Sequence, residues 1–135
     1  MNKLFNLEIY TPERTFFEGQ VESLVINTHS GEIGILYHTL PLVTTLQSGV
    51  MRILQNGKWM EAANSVGFVE VTRDMVTVLT DSAAWPHEVD INAVNEEIDE
   101  LDERKRKAKS LEEYKMAKAQ LAIQFAKLKI THQED

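Results

Sequence analysis

The sequence predicts a β + α fold class, in which an N-terminal antiparallel β-sandwich or barrel is followed by a C-terminal two-helix antiparallel hairpin. All six glycines and all three prolines lie at or before Pro86. Apolar residues alternate before that point and recur every three or four residues after it. Because glycine and proline favour turns and destabilise helices, we expect a sandwich domain over residues 1–86 and a helical domain over residues 87–135.

Short runs of alternating apolar residues predict the strands of the sandwich. These runs are Phe5, Leu7 and Ile9, then Val21, Leu24 and Ile26, then Val66, Phe68 and Val71, and finally Met75, Thr77 and Leu79. The strongest turn signal is Asn56-Gly57, a dipeptide that tolerates the positive φ angles of a type I′ turn. We therefore expect residues 50–54 and 58–62 to pair as an antiparallel hairpin.

Two apolar stripes at helical spacing predict the hairpin of helices. The stripes, which should form the seam between the helices, are Ile91, Val94, Ile98 and Leu101, followed by Tyr114, Leu121, Phe125 and Leu128. Ser110 followed by Glu113 has the spacing of a capping box, which marks the start of a helix. The break between the two helices should therefore fall at residues 107–110.

Composition excludes several classes of function. The chain of 135 residues has a net charge of -7, which disfavours bulk association with nucleic acid. It has no cysteine, so disulfides, thiolate zinc sites and cysteine nucleophiles are excluded. Neither a signal peptide nor a membrane span is expected, because no apolar run is long enough.

No motif for catalysis or metal binding is present. The histidines His29, His38, His87 and His132 are scattered and lack a second ligand at metal spacing. The sequence has no nucleophile elbow, phosphate-binding loop or dinucleotide fingerprint. We therefore expect no metal and no chemistry of the chain's own.

The segment around Glu32 is the most distinctive local feature, because Gly31 and Gly34 flank a single acid within apolar sequence. One interpretation is a bulge or a sharp corner of the backbone. The other is that Glu32 projects from this corner toward a partner. The residues alone leave both interpretations open.

A basic cluster surrounds the predicted break between the helices. Its members are Arg104, Lys105, Arg106, Lys107, Lys109, Lys115 and Lys118. The cluster is either a solvated turn or a latch that binds an acidic partner helix, and no stacking aromatics accompany it as nucleic-acid binding would favour. Glu100, Asp102 and Glu103 each precede a base by four residues, a spacing that allows ion pairs along the first helix.

Three motifs, in the order sandwich then hairpin, carry a family resemblance. Residues 30–36 read S-G-E-I-G-I-L, residues 41–49 read P-L-V-T-T-L-x-x-G, and residues 76–83 read V-T-V-L-T-D-x-A. Over nearly its whole length the chain resembles the epsilon subunits of F-type ATP synthases. The resemblance implies a sandwich that binds the gamma subunit and the c-ring, and a hairpin that restrains ATP hydrolysis by engaging the alpha and beta subunits.

The resemblance also implies roles for particular residues. It places the gamma and c-ring contact at Gly31, Glu32, Ile33, Gly34, His38, Thr39, Pro41 and Leu42. Glu32 matches the acid implicated in c-ring contact, and the basic cluster matches the regulatory latch. Thr39 stands where the family has a histidine and His38 lies one residue earlier, so the role of that histidine is not carried over.

A second departure concerns nucleotide binding. Some bacterial members bind ATP through a motif at the start of the first helix, in which an arginine contacts phosphate. This chain has Ala93 at the arginine position, so we expect no cofactor.

The sequence therefore predicts a non-catalytic central-stalk subunit on the cytoplasmic side of a bacterial membrane. It would couple ion-driven rotation of the c-ring to ATP synthesis and touch the membrane only through the complex. An alternative is a coiled-coil regulatory factor of another large complex such as RNA polymerase, although that family places its hairpin first and gives it an acidic tip. A small hydrolase is a third alternative, for which no nucleophile–base set is visible.

Overall fold

The computed structural model describes residues 3–131. The strands of this part are β1 Phe5–Tyr10, β2 Thr15–Val21, β3 Ser23–Thr28, β4 Gly31–Leu36, β5 Leu42–Leu46, β6 Gly49–Gln55, β7 Lys58–Asn64, β8 Gly67–Val71, β9 Met75–Thr80 and β10 Ala83–Ala84. A 3-10 turn at Pro86–Glu88 leads to the helices α1 Ile91–Arg106 and α2 Leu111–Thr131. The predicted fold class is confirmed.

The strands form two five-stranded sheets. The first sheet has the order β2-β1-β9-β8-β5, and the second has the order β10-β7-β6-β3-β4. Neighbouring strands are antiparallel except β1 and β9, which run parallel. The first sheet therefore pairs strands that are distant in sequence, an arrangement that local patterns do not specify.

The two sheets share one hydrophobic core. Leu7 and Ile9 from the first sheet and Leu24 and Ile26 from the second are fully buried. Successive side chains of a strand point to opposite faces, so residues between these positions face outward. Burial of such side chains is the main stabilising contribution to the sandwich.

In β8 and β9 the apolar residues singled out by alternation are largely on the outer face. Val69 and Val71 of β8 are buried together with Val76 and Val78 of β9, whereas Phe68 and Leu79 are exposed. The strands were predicted, but the alternation did not identify their buried face. Both faces of these strands are apolar, so period alone cannot decide between them.

The hairpin of β6 and β7 confirms the prediction from Asn56-Gly57. The φ angles of Asn56 and Gly57 are 54° and 75°, as a type I′ turn requires. Gln55 pairs with Lys58, and the antiparallel register continues to the pair Gly49 and Asn64.

The strand that carries Glu32 has no bulge. β4 pairs with β3 without a register shift, from Thr28 and Gly31 to Ser23 and Leu36. The sharp turn precedes the strand and ends at Gly31, whose φ is 114°. The interpretation of a bulge within the segment is therefore wrong, because the special backbone conformation is confined to the turn.

The helix boundaries follow local capping. Residues 107–110 separate the helices, as predicted. The Ser110 hydroxyl accepts a hydrogen bond from the Glu113 amide at 3.1 Å. The Glu113 carboxylate accepts from the amide of Lys109 at 3.2 Å, one residue before the position of a regular capping box. The cap is therefore a variant of the predicted one.

Candidate interaction surfaces

Glu32 lies on β4, which is the edge strand of the second sheet. Its side chain is 57% exposed, and Oε1 is 3.7 Å from Nη2 of Arg52. The Arg52 guanidinium carbon lies 5.5 Å from the ring centroid of Trp59. A half-exposed pair at this distance contributes little to stability, so Glu32 remains accessible to another charge.

The predicted contact residues run along this edge strand and into the turn that follows it. Gly31 and Glu32 begin β4, whereas His38, Thr39 and Pro41 follow its other end. At about 3.3 Å per residue the two ends are separated by more than roughly 13 Å along the strand. The predicted contact therefore extends along the edge, with the middle of β4 between its two ends.

The turn after β4 exposes apolar side chains. Thr39 Oγ1 accepts from the Leu36 amide at 2.9 Å and donates to the Leu36 carbonyl at 2.7 Å. His38 has a φ of 70°, a conformation that is uncommon outside glycine. The hydroxyl of Thr39 thus holds the turn, while Leu36 and Leu40 are 58% and 80% exposed.

A second surface, which sequence analysis missed, covers the outer side of the first sheet. We call it the outer apolar face and define it by Val43, Val66, Phe68 and Leu79, which are 70%, 45%, 58% and 51% exposed. Phe68 pairs with Leu79 across β8 and β9, and a groove of about 610 Å³ lies beside them. Contiguous exposed apolar residues mark an interaction surface. The apolar alternation in β8 and β9 was its signal in the sequence.

The helices dock on the second sheet through α2. Ala63 of β7 forms a buried cluster with Ile123, Ala126 and Ile130 of α2, and Val50 and Val89 pack at its margin. The cluster has only four buried members among the described residues, compared with fifteen in the sandwich core. The helices are thus attached to the sandwich through a small apolar contact.

The residues predicted to form the seam between the helices differ in burial. Val94, Leu101 and Leu121 are buried, and Ile98 and Leu128 are half-buried. Ile91, Tyr114 and Phe125 are exposed at 42%, 39% and 53%, so they add less buried area to the seam. Ile91 is the first residue of α1, and Phe125 lies roughly 40° around α2 from Leu121, at the rim of the contact.

The docked helices also border the site of Glu32. A groove of about 520 Å³ is lined by Glu32, Arg52 and Glu61 of the sandwich and by Ala122 and Phe125 of α2. The edge carboxylate and the outer rim of the hairpin therefore face the same space.

The basic cluster is exposed around the tip of the hairpin. Arg104, Arg106 and Lys107 each pair with the acid four residues earlier, at 3.9, 3.6 and 3.6 Å. Lys105 Nζ lies 5.9 Å from the ring centroid of Tyr114. Lys109, Lys115 and Lys118 are exposed. Such exposed pairs exchange readily for an external acidic partner, because each contributes only about 0.2–0.5 kcal/mol.

Within residues 3–131, no group of three histidine or acidic side chains could hold a metal ion. His132 lies outside the described residues. None of the helices in that range is long and apolar enough to cross a membrane. Ala93 lies in the first turn of α1, where its amide donates to the Asp90 carboxylate at 3.1 Å, and its methyl side chain has no group to bind phosphate.

Comparisons with known proteins identify the family. The model for the ATP synthase delta/epsilon chain β-sandwich domain matches residues 4–86. The ATP synthase epsilon chain of Caldanaerobacter subterraneus subsp. tengcongensis is 44% identical over 131 residues, which is 96% of this chain and 95% of the relative. The chain belongs to the ATP synthase epsilon chain family.

A second epsilon chain agrees with this assignment, and two solved structures share the fold. The epsilon chain of Ruminiclostridium cellulolyticum is 38% identical and covers 95% of this chain and 96% of its own length. A chain of the Euglena gracilis mitochondrial ATP synthase has a TM-score of 0.77 at 21% identity, covering 93% of this chain and 79% of that one. A chain of the Tetrahymena thermophila central stalk and c-ring has a TM-score of 0.65 at 15% identity, covering 96% and 98%. These structures share the fold of the epsilon chain described here.

Proposed function

We propose that this chain is a non-catalytic central-stalk subunit of an F-type ATP synthase that couples ion-driven rotation to ATP synthesis and restrains ATP hydrolysis. The observation that carries the proposal is the separation of surfaces on the sandwich. The hairpin docks on β6 and β7 of the second sheet, while the outer apolar face lies on the first sheet. A subunit that docks its own hairpin can therefore bind a partner at the same time.

The gamma subunit binds the outer apolar face and the turn after β4. Both surfaces expose large apolar side chains, notably Leu40, Val43 and Phe68. The buried core of a protein interface is more apolar than its rim, and aromatic residues such as phenylalanine are enriched there. The gamma contact predicted from His38 and Thr39 thus extends across the first sheet.

The c-ring contacts the Glu32 end of β4. The solved Tetrahymena assembly comprises the central stalk and the c-ring, which supports this partner. The exposed Glu32 carboxylate is suited to polar or basic groups of the c-ring loops, and Gly31 and Gly34 allow close approach because no side chain covers them. Rotation of the ring is thereby transmitted to the stalk.

The hairpin acts as the brake on hydrolysis. Its contact with the sandwich is small, and a change of packing requires a difference of only a few kcal/mol between two states. In the released state the basic cluster engages acidic segments of the alpha and beta subunits. Position 93 lacks a phosphate-binding side chain, so this switch operates without regulatory ATP at that site.

We place the subunit on the cytoplasmic side of a bacterial cell membrane, attached only through the complex. Its relatives support a bacterial setting, since epsilon chains of Caldanaerobacter and Ruminiclostridium match over nearly the whole chain. A chloroplastic epsilon chain from Pinus koraiensis is 34% identical over 91 residues.

The test is reconstitution with a catalytic complex of alpha, beta and gamma subunits that lacks its own epsilon chain. We expect co-elution of the full chain and of a chain ending at residue 89, with inhibition of hydrolysis by the full chain alone. Phe68→Glu should abolish co-elution, whereas Phe125→Glu, an equally exposed phenylalanine on α2, should not. Failure of the full chain to bind would refute the proposal, and inhibition by the shortened chain would place the brake outside the hairpin.

A further inference from the structure

The linker between the sandwich and the hairpin is held by an ion pair. Arg14, in the turn between β1 and β2, donates from Nη1 and Nη2 to the two carboxylate oxygens of Glu88 at 2.7 and 2.8 Å. Arg14 Nη2 also donates to the carbonyl of Ala83 at 3.4 Å. A bidentate pair of this geometry is directional as well as charged, so it fixes the end of the 3-10 turn against the sandwich.

Aromatic packing secures the same linker. The Trp85 ring stacks on Phe16 with centroids 4.3 Å apart and an interplanar angle of 14°. Phe17 meets Trp85 edge-on at 6.3 Å, and the Arg14 guanidinium lies 5.1 Å from the Phe16 centroid. Trp85 is thus held by two residues of β2.

The linker is also bonded through its backbone. Ala83 and Ala84 of β10 pair with Asn64 and Ala63 of β7. The amide of Trp85 donates to Glu88 Oε1 at 2.9 Å. The Arg14 guanidinium and this amide together lower the pKa of Glu88 to about 2, so the carboxylate is ionised at neutral pH.

Only two extended residues separate this attachment from the hairpin. Val89 has φ and ψ of -87° and 125°, and Asp90 has -96° and 105°. Asp90 is already the N-cap of α1. Val89 packs at the margin of the cluster formed by Ala63 and α2, and that contact ends when α2 leaves the sheet.

We propose that Arg14 and Glu88 are positioning residues that clamp residues 83–88 to the sandwich and thereby set the hinge of the hairpin at Val89 and Asp90. A two-residue tether keeps the docking face of α2 close to Ala63 and favours redocking. Without the clamp the 3-10 turn at residues 86–88 is released, while Ala83, Ala84 and Trp85 keep their own contacts. The tether then lengthens by three residues, and the effective concentration of the docking face falls. The consequence for the brake rests on the proposed function.

Thiol labelling of the isolated full chain measures undocking, because the natural sequence has no cysteine. Ala126→Cys reports on the docking face, and Ala62→Cys, in the sandwich core, reports on global opening. In the Ala126→Cys background, Arg14→Ala and Glu88→Gln should each raise the labelling rate by about threefold, the upper part of the range for an exposed pair. The charge exchange Arg14→Glu with Glu88→Arg should restore the original rate.

The control separates a clamp from general stabilisation. In the Ala62→Cys background the same substitutions should raise the labelling rate by a smaller factor, because there they act only through the loss of global stability. An equal rise in both backgrounds, or no rise at the docking face, overturns the proposal. If Ala126→Cys does not fold, Ile123→Cys supplies the same measurement, since Ile123 belongs to the same buried cluster.

Hydrogen exchange of residues 83–88 locates the hinge. In the unaltered chain the hydrogen-bonded amides of Trp85 and Glu88 should have a higher opening free energy than the docking face, and in Arg14→Ala the two opening free energies should converge. Equal opening free energies in the unaltered chain would mean that the linker leaves with the hairpin, which overturns the assignment. These measurements need no other subunit, so failure to bind gamma would refute the proposed function and leave the clamp intact.

Discussion

Gly67 shows how a single residue permits a close approach of two strands. It begins β8 and pairs with Thr80 of β9. A Cβ at this position would lie 1.8 Å from the carbonyl oxygen of Leu79 and 2.8 Å from the Cα of Thr80. Both obstacles are backbone atoms, so an added side chain must displace a strand next to the outer apolar face.

We therefore expect Gly67→Ala to lower the free energy of unfolding by at least about 2 kcal/mol, in the range of overpacked cores. Gly34→Ala is the matched control, because a Cβ there meets nothing within 4 Å. Urea unfolding of both variants makes the comparison. If Gly67→Ala and Gly34→Ala were equally stable, β9 would be able to move away from residue 67 without a loss of stability.

Glu88 makes one contribution to stability dependent on pH. Its pKa is lowered from 4.5 to about 2 in the folded chain, chiefly by the hydrogen bonds from Arg14. A lowered pKa stabilises the fold above the unfolded value, and this stabilisation is lost as the pH falls from about 4.5 through about 2.

The free energy of unfolding should thus fall less between pH 7 and pH 3 in Glu88→Gln than in the unaltered chain. Arg14→Ala should remove most of the same pH dependence, because the Trp85 amide still donates to the carboxylate, and the double variant should depend on pH no more than Glu88→Gln alone. Urea unfolding at pH 7 and at pH 3 measures the free energy of unfolding of each variant. An unchanged pH dependence in Glu88→Gln would refute the assignment.

At the scale of elements, α2 is notable because it is buried on two opposite faces. At about 100° per residue, Leu121 and Ile123 are separated by roughly 200° around the helix. Ala117 and Leu121 lie on the side of the inter-helix seam, and Ile123, Ala126 and Ile130 lie on the sandwich. The first stripe was predicted from spacing, whereas the second was missed because α2 was treated as having one apolar side.

The two faces and the rim of α2 should differ in their contribution to stability. Leu121→Ala should cost about 2–4 kcal/mol because Leu121 is 4% exposed, whereas Phe125→Ala should cost less than about 1 kcal/mol because the ring is mostly in solvent. Circular dichroism of the helices during urea unfolding measures both losses of stability. A larger loss of stability for Phe125→Ala than for Leu121→Ala would show that the Phe125 ring is part of the buried seam.

At the scale of the whole molecule, charge is unevenly distributed. The chain carries a net charge of -7, yet seven bases surround the tip of the hairpin. Attraction between this tip and an acidic surface is screened over about 10 Å at 0.1 M salt, so it operates only at short range.

Reversal of Arg104, Arg106 and Lys107 to glutamate should relieve inhibition of hydrolysis in the reconstituted complex and weaken its dependence on salt. The like-charge contacts created along α1 cost about 0.2–0.5 kcal/mol each, so the helix should persist. Reversal of Lys58, an exposed base of the sandwich, to glutamate should leave inhibition intact. Undiminished inhibition by the first variant would refute the latch.

The features predicted from sequence are those that depend on neighbours along the chain. The turn at Asn56 and Gly57, the break at residues 107–110 and the ion pairs on α1 join residues no more than four positions apart. Backbone preference and side-chain reach decide such features locally, so strands β1, β3, β6, β7, β8 and β9, the two helices and their order could be read from residue type and spacing alone. The resemblance in three motifs then supplied the family.

Only the tertiary structure decided which surfaces are buried and which are free for partners. β9 pairs in parallel with β1, so only one of the two apolar faces of β8 and β9 packs in the sandwich core. Phe68 and Leu79 lie on the other face and stay exposed. The second face of α2 is defined by the sheet on which it docks, and Arg14 reaches Glu88 across 74 residues of sequence. These contacts join distant segments, and their energy exists only when the whole chain brings both sides together.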